Sequence, residues 1–359
     1  MTALIILAIV VVGLRAWSTD EYAITPGNAT NVAPLVTVKG LGTDPHRDRI
    51  MLVDVYLQPL SELQYIVMHF QSHVEFVTAS QLLEPGIPNS QLDAQGFLQM
   101  SDSQLAAKVA ALRALGWTIP AIPTGAVITG VVDNTPASRA GLNVGDEVTA
   151  VNSRAVTSQC SLVAALAQVP VGTKLELTIV PGTFSAAGVL RHAAAIHVAV
   201  TTSHSPNAGA ATGCAQAPHA GASWLGIAPE DGVGYDIPGS ISLNTANIGG
   251  PSAGLAMTLT LIDALSKGSL TGGHVIATTG TIDPEGNVGD VGGVAEKTIA
   301  VENAGVHYFF VPQVEVATAR SVANSTLHIF GVTKLSQVLA ELRKLGGVAP
   351  MPFTAPPKP

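Results

Sequence analysis

The chain has 359 residues, of which 47% are hydrophobic, 12% charged and 4% aromatic, and its formal net charge is −8. A charged fraction about half the usual ~25%, with abundant apolar residues, excludes a disordered chain, and the acidic balance leaves no basic stripe for nucleic acid. Two cysteines exclude a zinc site built from four cysteines, and neither a G-x-x-x-x-G-K-[ST] loop nor an H-E-x-x-H helix occurs, so no cofactor and no metal are expected.

Residues 3–14 form a continuous apolar run, followed by Arg15 and Trp17. The run is shorter than the ~20 apolar residues of a spanning helix and lacks the basic start of a signal peptide. Segment 1–17 therefore reads as a membrane anchor or a truncated signal segment, with a buried strand or helix as a third alternative. Pro26-Gly27-Asn28 marks a turn. Residues 31–116 form a first ordered region, with a strand over 49–57 and a helix over 103–115 that Gly116 stops. His69 and His73 share a helical face but have no third ligand, so they read as surface histidines.

A second region, 119–202, has strand patterns at 126–132, 147–152 and 174–180 and a helix at 161–168. Residues 203–223, rich in Ala, Gly, Pro and His, read as a linker. Region 224–345 alternates strands (240–245, 274–279, 306–311, 327–332) with helices (252–265, 294–304, 314–323, 335–345), the pattern of an α/β or α+β domain. The tail 346–359 has five prolines from Pro350 onward and is expected to be disordered.

From Gly125 to Asn152 the chain reads GAVITGVVDNTPASRAGLNVGDEVTAVN. This run of strand, short helix, Gly-Asp turn and strand resembles a bacterial-type PDZ domain. The resemblance implies a groove where a peptide adds as an extra strand. The peptide's terminal carboxylate would then sit against the backbone N–H groups of Thr124, Gly125, Ala126 and Val127. A module that merely packs on its neighbour, its groove unused, is the alternative.

Gly250-Pro251-Ser252-Ala253-Gly254 precedes an apolar helix, with Leu255, Leu259 and Ile262 on one face. At a helix N-terminus the unpaired amides and the dipole favour a nucleophile and an oxyanion hole, although a plain capping serine explains the same position. Gly292-Gly293-Val294-Ala295-Glu296-Lys297 opens another helix. A lysine acts as a general base only when neutral. Lowering its pKa by ~3 units costs about 4 kcal/mol, which burial can supply. Ser252 with Lys297 fits the scheme of nucleophile plus base, whereas a solvated lysine paired with Glu296 or Glu302 is the alternative.

Together with Thr279-Gly280 and Gly286, these motifs resemble the proteolytic domain of Lon peptidases. With the apolar N-terminus and the PDZ-like region, the whole resembles secreted or membrane-anchored bacterial PDZ–Lon proteins. The implied fold class is α+β: a Lon-type protease domain of mixed sheets and helices with a PDZ β-sandwich-like domain. The resemblance also implies that 31–116 packs with 224–345 as one protease unit, with the PDZ domain inserted. It implies Ser252 as nucleophile, Lys297 as general base and Thr279 orienting the amine. Gly249 and Thr281 stand where many ATP-dependent Lon enzymes carry acidic residues, and no ATPase motif occurs.

The implied activity is an ATP-independent serine endopeptidase acting on unfolded or membrane-proximal polypeptides that a PDZ domain recruits by their C-terminal ends. Its implied place is the extracytoplasmic side of the cell membrane, or outside the cell, and its partners are polypeptides, the membrane and further copies of itself. Two alternatives stay open. One is a non-catalytic peptide-binding scaffold. The other is an esterase, because Gly250–Gly254 also satisfies G-x-S-x-G, with Asp290 and His307 or His328 completing a triad. Cys160 and Cys214 either pair, as an extracytoplasmic setting permits, or remain two thiols.

Overall fold

The computed structural model describes residues 12–44, 48–185, 188–205, 214 and 221–356. Most of the apolar segment 1–17 lies outside the described residues. Among those described, no helix is long and apolar enough to cross a membrane.

The first region contains β1 (Ser18–Asn31), β2 (Val36–Lys39), β3 (Ile50–Ser61), α1 (Glu62–Met68) and β4 (Glu75–Thr78). The turn expected at Pro26-Gly27-Asn28 is instead a bulge inside β1. The register against β3 shifts between Pro26 and Ala29. Proline has no N–H to give a ladder, and a bulge accommodates it without ending the strand. The long helix α2 (Leu92–Ala114) starts well before the expected position at 103. Its polar first half, with Gly96 inside it, obscures the apolar periodicity.

The central module contains β5 (Ala121–Val131), β6 (Glu147–Val151), α3 (Gln159–Ala167), β7 (Lys174–Val180), β8 (Ile196–Thr201) and β9 (Ile227–Tyr235). Its sheet runs β8-β7-β6-β5-β9. Ile128, Val148, Leu162, Leu177, Ile179 and Leu225 fill its core. The expected boundary at 223/224 is therefore corrected. β9 lies beyond that boundary but pairs with β5 along its whole length, from Ile227 opposite Val131 to Tyr235 opposite Ala121. Pro229-Glu230-Asp231-Gly232 has little strand propensity, so pairing with β5 makes this segment a strand.

The stretch 203–223 is also more than a linker. Ser203 and His204 pair with Trp224 and Ser223, and Cys214 is disulfide-bonded to Cys160 in the first turn of α3. Residues 206–213 and 215–220 lie outside the described residues.

The last region contains β10 (Ser240–Leu243), α4 (Gly254–Leu265), β11 (Ile276–Thr278), α5 (Val294–Asn303), β12 (Tyr308–Pro312), α6 (Val316–Val322), β13 (His328–Val332) and α7 (Leu335–Lys344). Its strands β11, β12 and β13 join β1, β3 and β4 of the first region in one sheet, β13-β12-β11-β3-β1-β4, with β11 parallel to both β3 and β12, whereas β10 pairs with β2 in a separate two-stranded sheet. One face of this sheet, with Ile50, Leu52, Ile276 and Phe310, packs with residues of α2 and α4. The other face, with Val53, Ala277, Phe309 and Val311, packs with residues of α5 and α6. Every residue of α4 is buried.

The proline-rich tail is ordered where it is described. The Lys267 amide donates to Met351 O at 2.9 Å and the Phe353 amide to Leu265 O at 3.0 Å. The prolines do not prevent this, because alternate residues supply the hydrogen bonds.

Candidate active site

Helices α4 and α5 lie on opposite faces of the same sheet, and a loop leaves the carboxyl end of β11 through Thr279 and Gly280. In open sheets of parallel strands, the crevice outside the carboxyl ends is where ligands bind.

Ser252 sits in the turn just before α4. The helix cap is Ala253, and the serine side chain caps nothing, so the capping-serine alternative does not apply. The turn is pinned by its backbone. The Gly280 amide donates to Ser252 O at 2.9 Å, and the Leu255 amide donates to Gly280 O at 3.1 Å. Gly250, with φ +82°, holds a backbone conformation that favours glycine. The amides of Ser252 and Ala253 donate to no acceptor among the described residues. Two adjacent free N–H groups beside a serine can bind a developing oxyanion.

Lys297 is on the first turn of α5. Gly293, at the start of that helix, presses so closely on Ile24 and Val55 that a Cβ would lie 3.1 Å from each. The lysine side chain is 3% exposed and forms no ion pair among the described residues. Burial pushes its pKa down to about 8, against the opposing pull of the Asp54 and Glu315 carboxylates. The solvated alternative, paired with Glu296 or Glu302, is therefore not what the structure contains. Asp54 is itself held from β1, where the Asn28 amide in the bulge donates to its Oδ1 at 2.7 Å.

Thr279 is fully buried, and its amide donates to Phe310 O at 3.0 Å. Its hydroxyl donates to Ser252 O at 3.4 Å rather than to the lysine amine. The expected contact to the amine is replaced by one to the backbone carbonyl of Ser252.

The expected peptide-carboxylate site at Thr124, Gly125, Ala126 and Val127 is corrected. These residues lie inside β5. Ala126 and Val127 pair with β9 on one side and with β6 on the other. Thr124 donates its hydroxyl to Glu147 Oε1. Gly125 is needed because a Cβ would lie 2.7 Å from Val148 O, a packing constraint rather than a ligand contact. The open edge beside α3 belongs to β9. Just before it, the amides of Leu225 and Gly226 donate to no acceptor among the described residues, and Gly226 has φ +86°. The signal for this loop was a second glycine-led turn, Trp224-Leu225-Gly226-Ile227.

His307 and His328 lie at the amino ends of β12 and β13, where His328 stacks on Tyr308 at 5.5 Å between ring centroids. Ser252 is tied to the opposite, carboxyl end of β11, so these histidines do not join it in a triad. No cluster of three metal-binding side chains occurs among the described residues.

Residues 237–344 match the family model of the Lon protease (S16) C-terminal proteolytic domain, and residues 127–181 match that of the PDZ domain. The Lon protease of Rickettsia bellii is 28% identical over 118 residues, 32% of this chain and 15% of that protein. Lon protease 1 of Herpetosiphon aurantiacus is 31% identical over 134 residues, 36% of this chain and 16% of that protein. The chain thus spans less than a fifth of the length of these curated relatives. The crystal structure of the PDZ domain of an SdrC-like protein from Listeria monocytogenes matches 30% of this chain and 87% of its own, at 16% identity and a TM-score of 0.21. The chain carries a Lon-type proteolytic domain, the domain of a serine peptidase, together with a PDZ domain.

Proposed function

We propose that this protein is an ATP-independent serine endopeptidase in which Lys297 is the general base for Ser252. The observation that carries this reading is the buried lysine, which forms no ion pair among the described residues. With a pKa of about 8, roughly a tenth of its amines are neutral at pH 7, against well under 0.1% for an ordinary lysine. In the first step the Lys297 amine takes the proton from Ser252 Oγ as the oxygen attacks a peptide carbonyl. The oxyanion takes hydrogen bonds from the Ser252 and Ala253 amides. The lysine returns its proton to the leaving amine, and water, deprotonated in turn by the lysine, releases the acyl group.

Polypeptides reach this site through the PDZ domain. A C-terminal peptide adds antiparallel or parallel to the open edge of β9, and its carboxylate meets the amides of Leu225 and Gly226. The Cys160–Cys214 disulfide supports an oxidising, extracytoplasmic place of action for an anchored or secreted protein.

The test is cleavage of fluorescein-labelled casein, an unfolded polypeptide, without ATP. Wild-type protein should cleave it, and Ser252→Ala and Lys297→Ala should each reduce cleavage to background. Undiminished cleavage by either variant would remove that residue from the mechanism. A wild-type protein that binds casein without cleaving it would favour the scaffold reading.

A further inference from the structure

Helix α2 touches both functional parts of the molecule through specific hydrogen bonds. Towards the proteolytic site, Gly96 O accepts the Gly250 amide at 2.7 Å. Ser103, 5% exposed, donates its hydroxyl to Pro251 O at 2.9 Å. Gly96 and Ser103 are two turns apart on one helix face. A side chain at Gly249 would approach Gly96 C to 3.3 Å, so helix and turn meet backbone to backbone. The two residues gripped, Gly250 and Pro251, immediately precede Ser252.

The beginning of the same helix grips the PDZ sheet. Gln91 binds Val131 twice, its Nε2 donating to the carbonyl at 2.7 Å and its Oε1 accepting the amide at 2.9 Å. Gln95 Nε2 donates to Thr129 O at 2.8 Å. Thr129 and Val131 are on β5, the direct neighbour of β9. Asp102, beside Ser103, senses Glu230 on β9. Burial, with that like charge added, raises the Asp102 pKa to about 6.

We propose that Ser103 and Gly96 are positioning residues for the nucleophile, and that the glutamine grip on β5 makes the Gly250–Ser252 turn depend on the PDZ sheet. This proposal rests on the peptidase reading above. Its physical basis is that Ser252 Oγ and the two free amides are placed by that turn. A misplacement of about 1 Å in a catalytic constellation can cost on the order of 100-fold in rate. The neutral side chains of Ser103, Gln91 and Gln95 do not touch Lys297, so they act on geometry and not on its protonation.

The experiment measures kcat and KM for fluorescein-labelled casein, and the pH dependence of kcat, on full-length variants. Ser103→Ala should lower kcat on the order of 10-fold or more. KM and the basic inflection of the pH profile should not move. The double variant Gln91→Leu with Gln95→Leu, which leaves every contact to the turn in place, should lower kcat several-fold with the same unmoved inflection. A purely structural role would lower the melting temperature and leave kcat unchanged well below it. Wild-type kcat in both folded variants overturns the proposal. Wild-type kcat in the glutamine variant alone overturns the dependence on the PDZ sheet, and that variant decides the matter if Ser103→Ala does not fold. An inactive wild-type protein sinks the peptidase reading and this proposal with it, whereas active wild type with unaltered variants sinks this proposal alone.

Discussion

The Gly280 amide donates to the Ser252 carbonyl oxygen at 2.9 Å, and this bond, with its return through Leu255, joins the end of β11 to the start of α4. The Thr279 hydroxyl reaches the same oxygen at 3.4 Å, long for a hydroxyl donor. Thr279→Val keeps the clasp and loses only that weak third bond. It should slow casein cleavage by less than about 10-fold, since one neutral hydrogen bond is worth ~1 kcal/mol. A loss near that of Lys297→Ala would show that the hydroxyl serves the lysine amine instead.

The lysine makes a prediction of opposite sign for activity and stability. Its folded pKa of about 8 is below the ordinary 10.5, so between these values the folded state binds fewer protons than the unfolded chain. The penalty for burying the charge is full below pH 8 and fades as pH rises towards 10.5. Lys297→Met should abolish cleavage yet raise the unfolding free energy at pH 7, by up to about 3 kcal/mol. Wild-type kcat should climb with pH and level off above about pH 8. A denaturant titration and a pH–rate profile check the two halves, and a kcat that is flat from pH 6 to 9 would contradict the second.

Asp263, near the far end of α4, supplies a second pH dependence. It is 1% exposed, and its Oδ2 accepts the Asp48 amide at 2.9 Å. Burial, with the Asp48 carboxylate adding to it, raises its pKa to about 7. The folded state therefore holds a proton that the unfolded chain releases near pH 4, and stability falls as pH rises from about 4 through about 7. Asp263→Asn removes the titration and keeps one donor and one acceptor. Its melting temperature should vary less between pH 5 and 8 than that of wild type, and an equal slope would rule Asp263 out as the source.

The strands and helices of the last region were legible because apolar runs and glycine stops coincide there, as at Val294–Asn303 followed by Gly305. The position of Ser252 before an apolar helix was legible for the same reason. What escaped depended on partners distant in sequence. β9 is made a strand by β5, not by Pro229-Glu230-Asp231-Gly232. Gly125 looked like a ligand loop because its tight neighbour, Val148, is invisible in the linear pattern. The helix α1 did carry a local signal, the capping box of Ser61 and Gln64, but its short span gave too little periodicity.

The glycine before β9 has both a conformational and a steric reason. Gly226 has φ +86°, and a Cβ there would collide with the Thr135 side chain. Gly226→Ala should cost more than the ~1–2 kcal/mol of a left-handed residue alone. It should also weaken binding of a C-terminal peptide, read by fluorescence polarisation. An unchanged affinity would move the carboxylate site away from Leu225 and Gly226.

The disulfide spans 54 residues of sequence. Replacing both Cys160 and Cys214 by serine should destabilise the PDZ domain by about 2–4 kcal/mol. Chemical denaturation with and without reductant measures this, and identical midpoints for oxidised and reduced wild type would deny the bond a stabilising part.

The pairing of Ala121 with Tyr235 closes the PDZ insertion like the two leads of a plug-in component. The chain leaves the proteolytic unit and returns to it across the width of one strand pair, roughly 5 Å. A recognition module with its terminals this close can be exchanged for another without stretching its host. The helix α2, which reads the module from the host side, is then the part that must be refitted with each exchange.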